Sequence, residues 1–245
     1  MHSLPQRLCH PRRNQGLSLL QHAAPKTRAV RPRDAASLVL IDRSGEEPCI
    51  LMGRRHSKMS FVPDAFVFPG GKLDATDEKA KPATAFDAEM KAQIAQTPAL
   101  SRRAEALAMA AIRETMEETG LLIAAPGDVG EASGDAWSPF RDQGLAPHLA
   151  PLRFVARAIT PTESPIRFHA RFYAAPAGIA TGELRGSGEL EDLDWYPLSE
   201  ALKLPVIDVT EFVLHEVQGV MPEQASGDRP VPLFAYRNGR PLLRK

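Results

Sequence analysis

Cysteine is scarce in this chain: two among 245 residues, Cys9 and Cys49, forty positions apart. Neither a zinc ribbon nor a CxxC redox site can be written from such a pair, and reduced thiols in a cytosol-like compartment are the simplest state. Long apolar runs are missing too. The longest, 106–112, has seven residues, far short of the ~18–20 that a membrane span needs. Net charge is absent overall, with 30 Lys and Arg against 30 Asp and Glu, and 17 Gly with 22 Pro in 43% hydrophobic composition exclude collagen-like, disordered and disulfide-scaffold classes. What remains is a globular protein of one large domain or two small ones.

The neutral total hides an asymmetry. Residues 1–33 hold seven Lys and Arg and no acid, so the remainder carries −7. A net-acidic body argues against nucleic acid as the main partner, because phosphate backbones are held by clustered cations. The first 33 residues also contain Pro5, Pro11, Pro25 and Pro32 and lack a sustained period of 2.0 or 3.6, which predicts a flexible basic arm ahead of a domain over 34–245. A disordered tail or upstream start, a transit-like peptide and an anion-binding arm all fit that composition.

From Ala35 the pattern becomes strand-like. "ASLVLI" at 35–40 and "CILMGRR" at 49–55 flank a turn and predict a hairpin. A strand in "DAFVFPGGKLD" at 64–74 follows, then a polar, Ala-rich insertion at about 75–98 with room for one short helix. Residues 101–119 predict a helix closed by Gly120. Strands are expected at 121–125, 152–160 and 166–176, a loop at 126–150, a strand running into a helix at 190–202, an amphipathic helix at 208–220 and a last strand in the tail. Interleaved strands and helices give an α/β class with a mixed sheet.

On a wheel, Met109, Ile112 and Met116 share one face of the 101–119 helix, and Glu114, Glu117 and Glu118 fall on the far side. A solvated acidic face is the ordinary explanation of such a pattern. Two energetic facts oppose it. Glu114–Glu118 and Glu114–Glu117 are like-charge neighbours, each costing roughly 0.2–0.5 kcal/mol, and they crowd the helix C-terminus, where the dipole favours cations by roughly 0.3–1 kcal/mol. A divalent cation removes both penalties. Oxygen-only ligands point to a hard ion, Mg²⁺ or Mn²⁺, completed by water and a phosphate-bearing substrate.

Glu105, seven residues, then "RETMEETGL" at 113–121 resembles the Nudix box, G-x5-E-x7-R-E-U-x-E-E-x-G-U with U aliphatic. Thr115 stands at the first aliphatic position and Ala99 where the leading Gly belongs. "FPGGKLD" at 68–74 resembles the strand-turn that feeds the box, which makes Gly71 the box Gly and expands the five-residue spacer to residues 72–104. The resemblance implies an α/β/α sandwich with a mixed sheet and hydrolysis of a nucleoside diphosphate linked to another moiety. It assigns Glu114, Glu117 and Glu118 to Mg²⁺ (or Mn²⁺), with the Gly70 carbonyl as a further ligand. Arg113 would orient Glu117, Glu105 would brace Arg113, and Glu189 or Glu191 would add a carboxylate from a later loop. The general base is Glu114 or that later acid, and Gly71 and Lys72 would meet the substrate. A diphosphate repels nucleophiles, so the site must neutralise it and activate water.

The long insertion, together with "MSFVPDAFVFPGGKLDATD" at 59–77 and "ITPTESPIRFHARFYAA" at 159–175, resembles the subgroup that includes the peroxisomal coenzyme A diphosphatases. The upstream coenzyme A signature is partly met: Leu51, Arg54 and "FPGG" agree, while His56, Ser60 and Asp64 depart. Arg54, Arg55 and Lys58 are placed to meet a 3′-phosphate, although a basic strand edge that resists pairing fits them equally. His56 and His169 are expected to be structural or surface residues. The terminal Leu-Arg-Lys is not a peroxisomal address, which gives a cytoplasmic expectation, and a homodimer is left open. ADP-ribose, NADH and nucleoside-diphosphate sugars compete as substrates, and a non-catalytic Nudix-fold module is the alternative of another class.

Overall fold

The computed structural model describes residues 30–59, 61–96, 103–132, 135–219, 229–237 and 239–244. Residues 1–29 of the expected arm, and positions 101 and 102 of the expected helix, lie outside them.

The first strand, β1 (Arg33–Asp42), is central and buried on both faces, which is why it reads as an almost continuous apolar run. It pairs antiparallel with β2 (Cys49–Arg55), forming the expected hairpin. Short β3 (Phe66–Val67) and β4 (Gly70–Lys72) pair with β2 and β1. After α1 (Ala88–Gln96) comes the long helix α2 (Ala104–Thr119), which ends on Gly120 at φ 76°, with its N–H bonded to the Met116 carbonyl. This is the left-handed stop that a residue with a β-carbon adopts at a cost.

β5 (Leu122–Pro126), α3 (Ser138–Arg141) and β6 (Leu145–Pro147) follow. Then come β7 (Arg153–Ile159), β8 (Phe168–Pro176), β9 (Ala180–Thr181), β10 (Leu190–Pro197) and α4 (Leu198–Ala201). The chain closes with α5 (Asp208–Val217) and the hairpin of β11 (Leu233–Arg237) and β12 (Arg240–Arg244).

Among the described residues, nine strands form one sheet in the order β10-β2-β1-β8-β7-β11-β12, with β3 and β4 attached to β2 and β1. β1–β8 and β7–β11 are parallel and the other pairs antiparallel, so the sheet is mixed as expected. Alternation along β1 divides the core. Leu38 and Leu40 join Leu107, Ala111 and Ile112 of α2 on one face, while Val39 and Ile41 join Val213, Leu214 and Val217 of α5 on the other. The result is the α/β/α sandwich.

Two expectations are corrected. The segment 126–150 is not a plain loop: β6 pairs with β5, and Trp137 and Phe140 are both fully buried against each other at 5.4 Å. Pro, Gly and Asp content masked those two apolar anchors. The tail supplies two strands rather than one, and β11 seals the sheet against β7.

Candidate active site

α2 carries its chemistry on two sides of one turn. Arg113, with a side chain 7% exposed, has all five of its N–H groups engaged. Nε and Nη2 donate to the two Asp77 carboxylate oxygens at 2.7 and 3.1 Å, and Nη2 also donates to the Lys72 carbonyl at 3.1 Å. Nη1 donates to Glu114 Oε1 at 2.9 Å and to Glu117 Oε2 at 2.8 Å. Burial alone would lower the guanidinium pKa, but Asp77, Glu114 and Glu117 outweigh it and hold Arg113 well above its ordinary value.

This network corrects the role given to Glu105, which is exposed and is not among the partners of Arg113. Asp77 takes the bracing position. It stands six residues after Gly71, the place of the box Glu, so G-x5-D is intact and the expansion falls between Asp77 and Arg113, where residues 78–112 replace the usual seven. Counting forward from Gly71 rather than back from Arg113 would have found it. Thr115, the departure at the aliphatic position, is fully buried and returns its hydroxyl to the Ala111 carbonyl at 2.7 Å, so it packs as a core residue.

The other side of the turn faces a cavity of about 280 Å³. Glu118 is 6% exposed, and its Oε2 accepts from Gly70 N–H at 2.9 Å. Burial raises its pKa to about 8, reinforced by Glu114 and Glu189 and opposed by Gly70 N–H and Arg55. Burial likewise raises Glu114. Glu114 comes this close to the backbone because Gly71 has no side chain: a β-carbon there would overlap the Glu114 carboxylate. The cavity brings together Glu114, Glu118, Glu189, Arg55, Gly70 and Gly71, with Lys72 at the same wall. Arg55 is positioned by its Nε–H bond to the Phe61 carbonyl at 2.9 Å; burial lowers its pKa, against the raising effect of Glu118 and Glu189.

Several expected residues are elsewhere. Arg54 points to the opposite face of β2, where Asp192, Glu191 and Asp64 hold it at 2.7, 2.7 and 3.3 Å. Lys58 is exposed and Glu117 is turned to Arg113, and neither lines the cavity. The 3′-phosphate cluster of Arg54, Arg55 and Lys58 is therefore not assembled, because neighbouring strand residues face opposite ways. Glu191 is likewise engaged by Arg54 and by His56 at 3.5 Å, which separates it from Glu189. His169 lies off the cavity, its pKa lowered to about 4 by burial and Arg171.

Among the described residues, no three His, Cys, Asp or Glu side chains already converge as a metal cage. The donor set nevertheless suits a hard cation. Glu114, Glu118 and Glu189 present oxygen only, one of them is buried with a single N–H partner, and Arg55 and Lys72 are the cations on that wall.

A model of the NUDIX domain matches residues 31–213. The structure is similar to a NUDIX hydrolase from Alicyclobacillus acidocaldarius at a TM-score of 0.61 and 28% identity, over 82% of this chain and 97% of that one. A MutT NUDIX hydrolase from Burkholderia pseudomallei aligns at 0.45 and 18% identity, over 77% and 99% of the two chains. The NUDIX domain of Shewanella oneidensis NrtR, complexed with ADP ribose, aligns at 0.43 and 13%, over 77% and 88%. No curated protein matches.

Proposed function

The chain belongs to the Nudix family and is a hydrolase of the diphosphate bond in nucleoside diphosphate derivatives, and from that premise we propose that its substrate is coenzyme A or an acyl-coenzyme A, cleaved to 3′,5′-ADP and (acyl-)4′-phosphopantetheine. The observation that supports this most is the mixed lining of the cavity, in which Glu114, Glu118, Glu189 and Arg55 stand with aliphatic and aromatic side chains. The polar groups suit a diphosphate, and the apolar ones suit the gem-dimethyl and acyl-chain carbons of an acyl-coenzyme A.

Nudix hydrolases generally use a divalent metal, and we assign Mg²⁺ (or Mn²⁺) here. Glu114, Glu118 and Glu189, with the Gly70 backbone, would hold it, and when bound it supplies charge neutralisation of the diphosphate and acidification of water. The chain's own groups do the rest. Gly71 lets the Glu114 carboxylate lie against the backbone of β4, since a β-carbon there would overlap it. Arg113 fixes Glu114 and Glu117 by sharing Nη1 between them, and Asp77 fixes Arg113. Arg55, already oriented by the Phe61 carbonyl, meets phosphate oxygens. Glu114 and Glu189 both face the cavity, and either takes the proton of the attacking water.

The reading is checked by product analysis across coenzyme A, dephospho-coenzyme A, ADP-ribose and NADH with Mg²⁺ or Mn²⁺. The expected products are 3′,5′-ADP and 4′-phosphopantetheine. A tenfold or greater preference for ADP-ribose or NADH in kcat/KM would leave only the general diphosphatase assignment.

A further inference from the structure

One part of the cavity lining is apolar. Its floor is a row of three alanines in register across adjacent strands: Ala35 of β1 faces Ala170 of β8, which faces Ala158 of β7. Three small side chains side by side leave the volume open. Its walls are aromatic, and the rings meet edge to face: Phe61–Phe168 at 5.2 Å and 77°, Phe68–Phe172 at 6.3 Å and 78°, Phe234–Tyr236 at 5.5 Å and 87°. In the stacked pair, Phe212–Phe234 at 5.0 Å and 29°, only Phe234 is a lining residue. Among the described residues, no two parallel rings of the lining bracket a slot for a nucleobase.

Two of the four hydroxyl side chains in the lining are committed. Thr160 accepts from the Phe168 N–H at 3.0 Å and donates to the Phe168 carbonyl at 3.3 Å, and Tyr236 donates to Asp208. Thr210 and Ser37 add two more hydroxyls to the lining. A sugar carries several hydroxyls that each need a partner once dehydrated, and a nucleobase edge needs two or more. Of the two lining cations, Arg55 interacts with Glu118 and Glu189, and Lys72 is exposed on β4 as the register partner of Ala35.

We propose that this apolar part takes an aliphatic arm, so that the enzyme selects nucleoside diphosphates esterified to a hydrocarbon-bearing group over those esterified to a sugar or a second nucleoside. The proposal rests on the diphosphatase reading of the same site and adds what discriminates within it. With Arg54 held by three acids and Lys58 outside the cavity, selection comes from the arm and not from a 3′-phosphate.

The test is a series of ADP alkyl esters, methyl to hexyl, cleaved by the full chain with Mg²⁺. Each methylene that leaves water should raise kcat/KM about threefold to fourfold until the cavity is full, with ADP-ribose and ADP-glucose at least tenfold below the butyl ester. Ala170→Leu fills the floor and should cut the hexyl-to-methyl ratio at least tenfold, its folding followed by thermal melting. If that variant does not fold, the wild-type series alone decides. A flat or falling wild-type series overturns the proposal and leaves the diphosphatase standing, as does a tenfold preference for ADP-ribose or diadenosine diphosphate over the butyl ester. No Mg²⁺-dependent cleavage of any member overturns both.

Discussion

One turn of α2 supports two opposite electrostatic regimes. Around Arg113, every donor has an acceptor and three carboxylates share one guanidinium. Around Glu118, a buried carboxylate has one backbone N–H, two acidic neighbours and a single opposing guanidinium. The first region is complete as folded and holds the helix in place. The second is left short of positive charge, which is the condition in which a site retains affinity for a cation and a phosphate.

The largest expected effect comes from the incomplete side. Glu118→Gln should lower turnover by at least two orders of magnitude while making the metal-free protein more stable at pH 8. The sign follows from the carboxyl pKa, which burial raises to about 8 in the fold from its ordinary 4.5. The folded state keeps its proton over that interval while the unfolded state gives it up. Stability is therefore lost as pH rises from 4.5 to 8, and the variant is spared that loss. Melting in EDTA should show the variant about 3 °C or more above the parent at pH 8 and level with it near pH 4.5. Full activity in Glu118→Gln would sink the site.

The complete side should respond in the opposite sense. Asp77→Ala leaves a buried guanidinium short of its bidentate partner and should cost about 3 kcal/mol or more, roughly 6–12 °C in Tm. Glu105→Gln, at the position first expected to provide that brace, should stay within about 0.5 kcal/mol. Equal losses in the two variants would return the brace to Glu105.

Smaller again is the contrast between adjacent arginines. Arg55→Ala should raise KM at least tenfold by removing a charge-assisted contact to phosphate. Arg54→Ala, whose partners are surface acids, should leave kcat/KM within about threefold. Matching losses in steady-state kinetics would show that both reach the substrate.

These contrasts also mark what the sequence could reveal. Helix period and turn chemistry were enough to put Glu114 and Glu118 on one face and to end the helix at Gly120, because each depends on spacing within a few residues, whereas Gly70 and Gly71 came from the resemblance to the Nudix strand-turn. Strand period separates Arg54 from Arg55 but not which of them faces the cavity, since that depends on what covers β2. Asp77 was hidden because the box is interrupted by residues that fold away into α1 and the α2-side core, where Met90 and Phe86 pack. Trp137 and Phe140 were hidden by the polar residues around them. The apolar part of the cavity lining depends on the register of β1, β8 and β7, a long-range property that no local pattern carries.

Calorimetric titration of the protein with Mg²⁺ at pH 7, repeated in buffers of different ionisation enthalpy, tests the central claim most directly. A carboxyl with a pKa of about 8 is mostly protonated at pH 7 and must lose its proton to bind a cation. Binding should release close to one proton in the parent and none from that position in Glu118→Gln, which should also bind at least tenfold more weakly. Equal affinity and equal proton release in the two proteins would contradict the claim that the α2 carboxylates hold the metal.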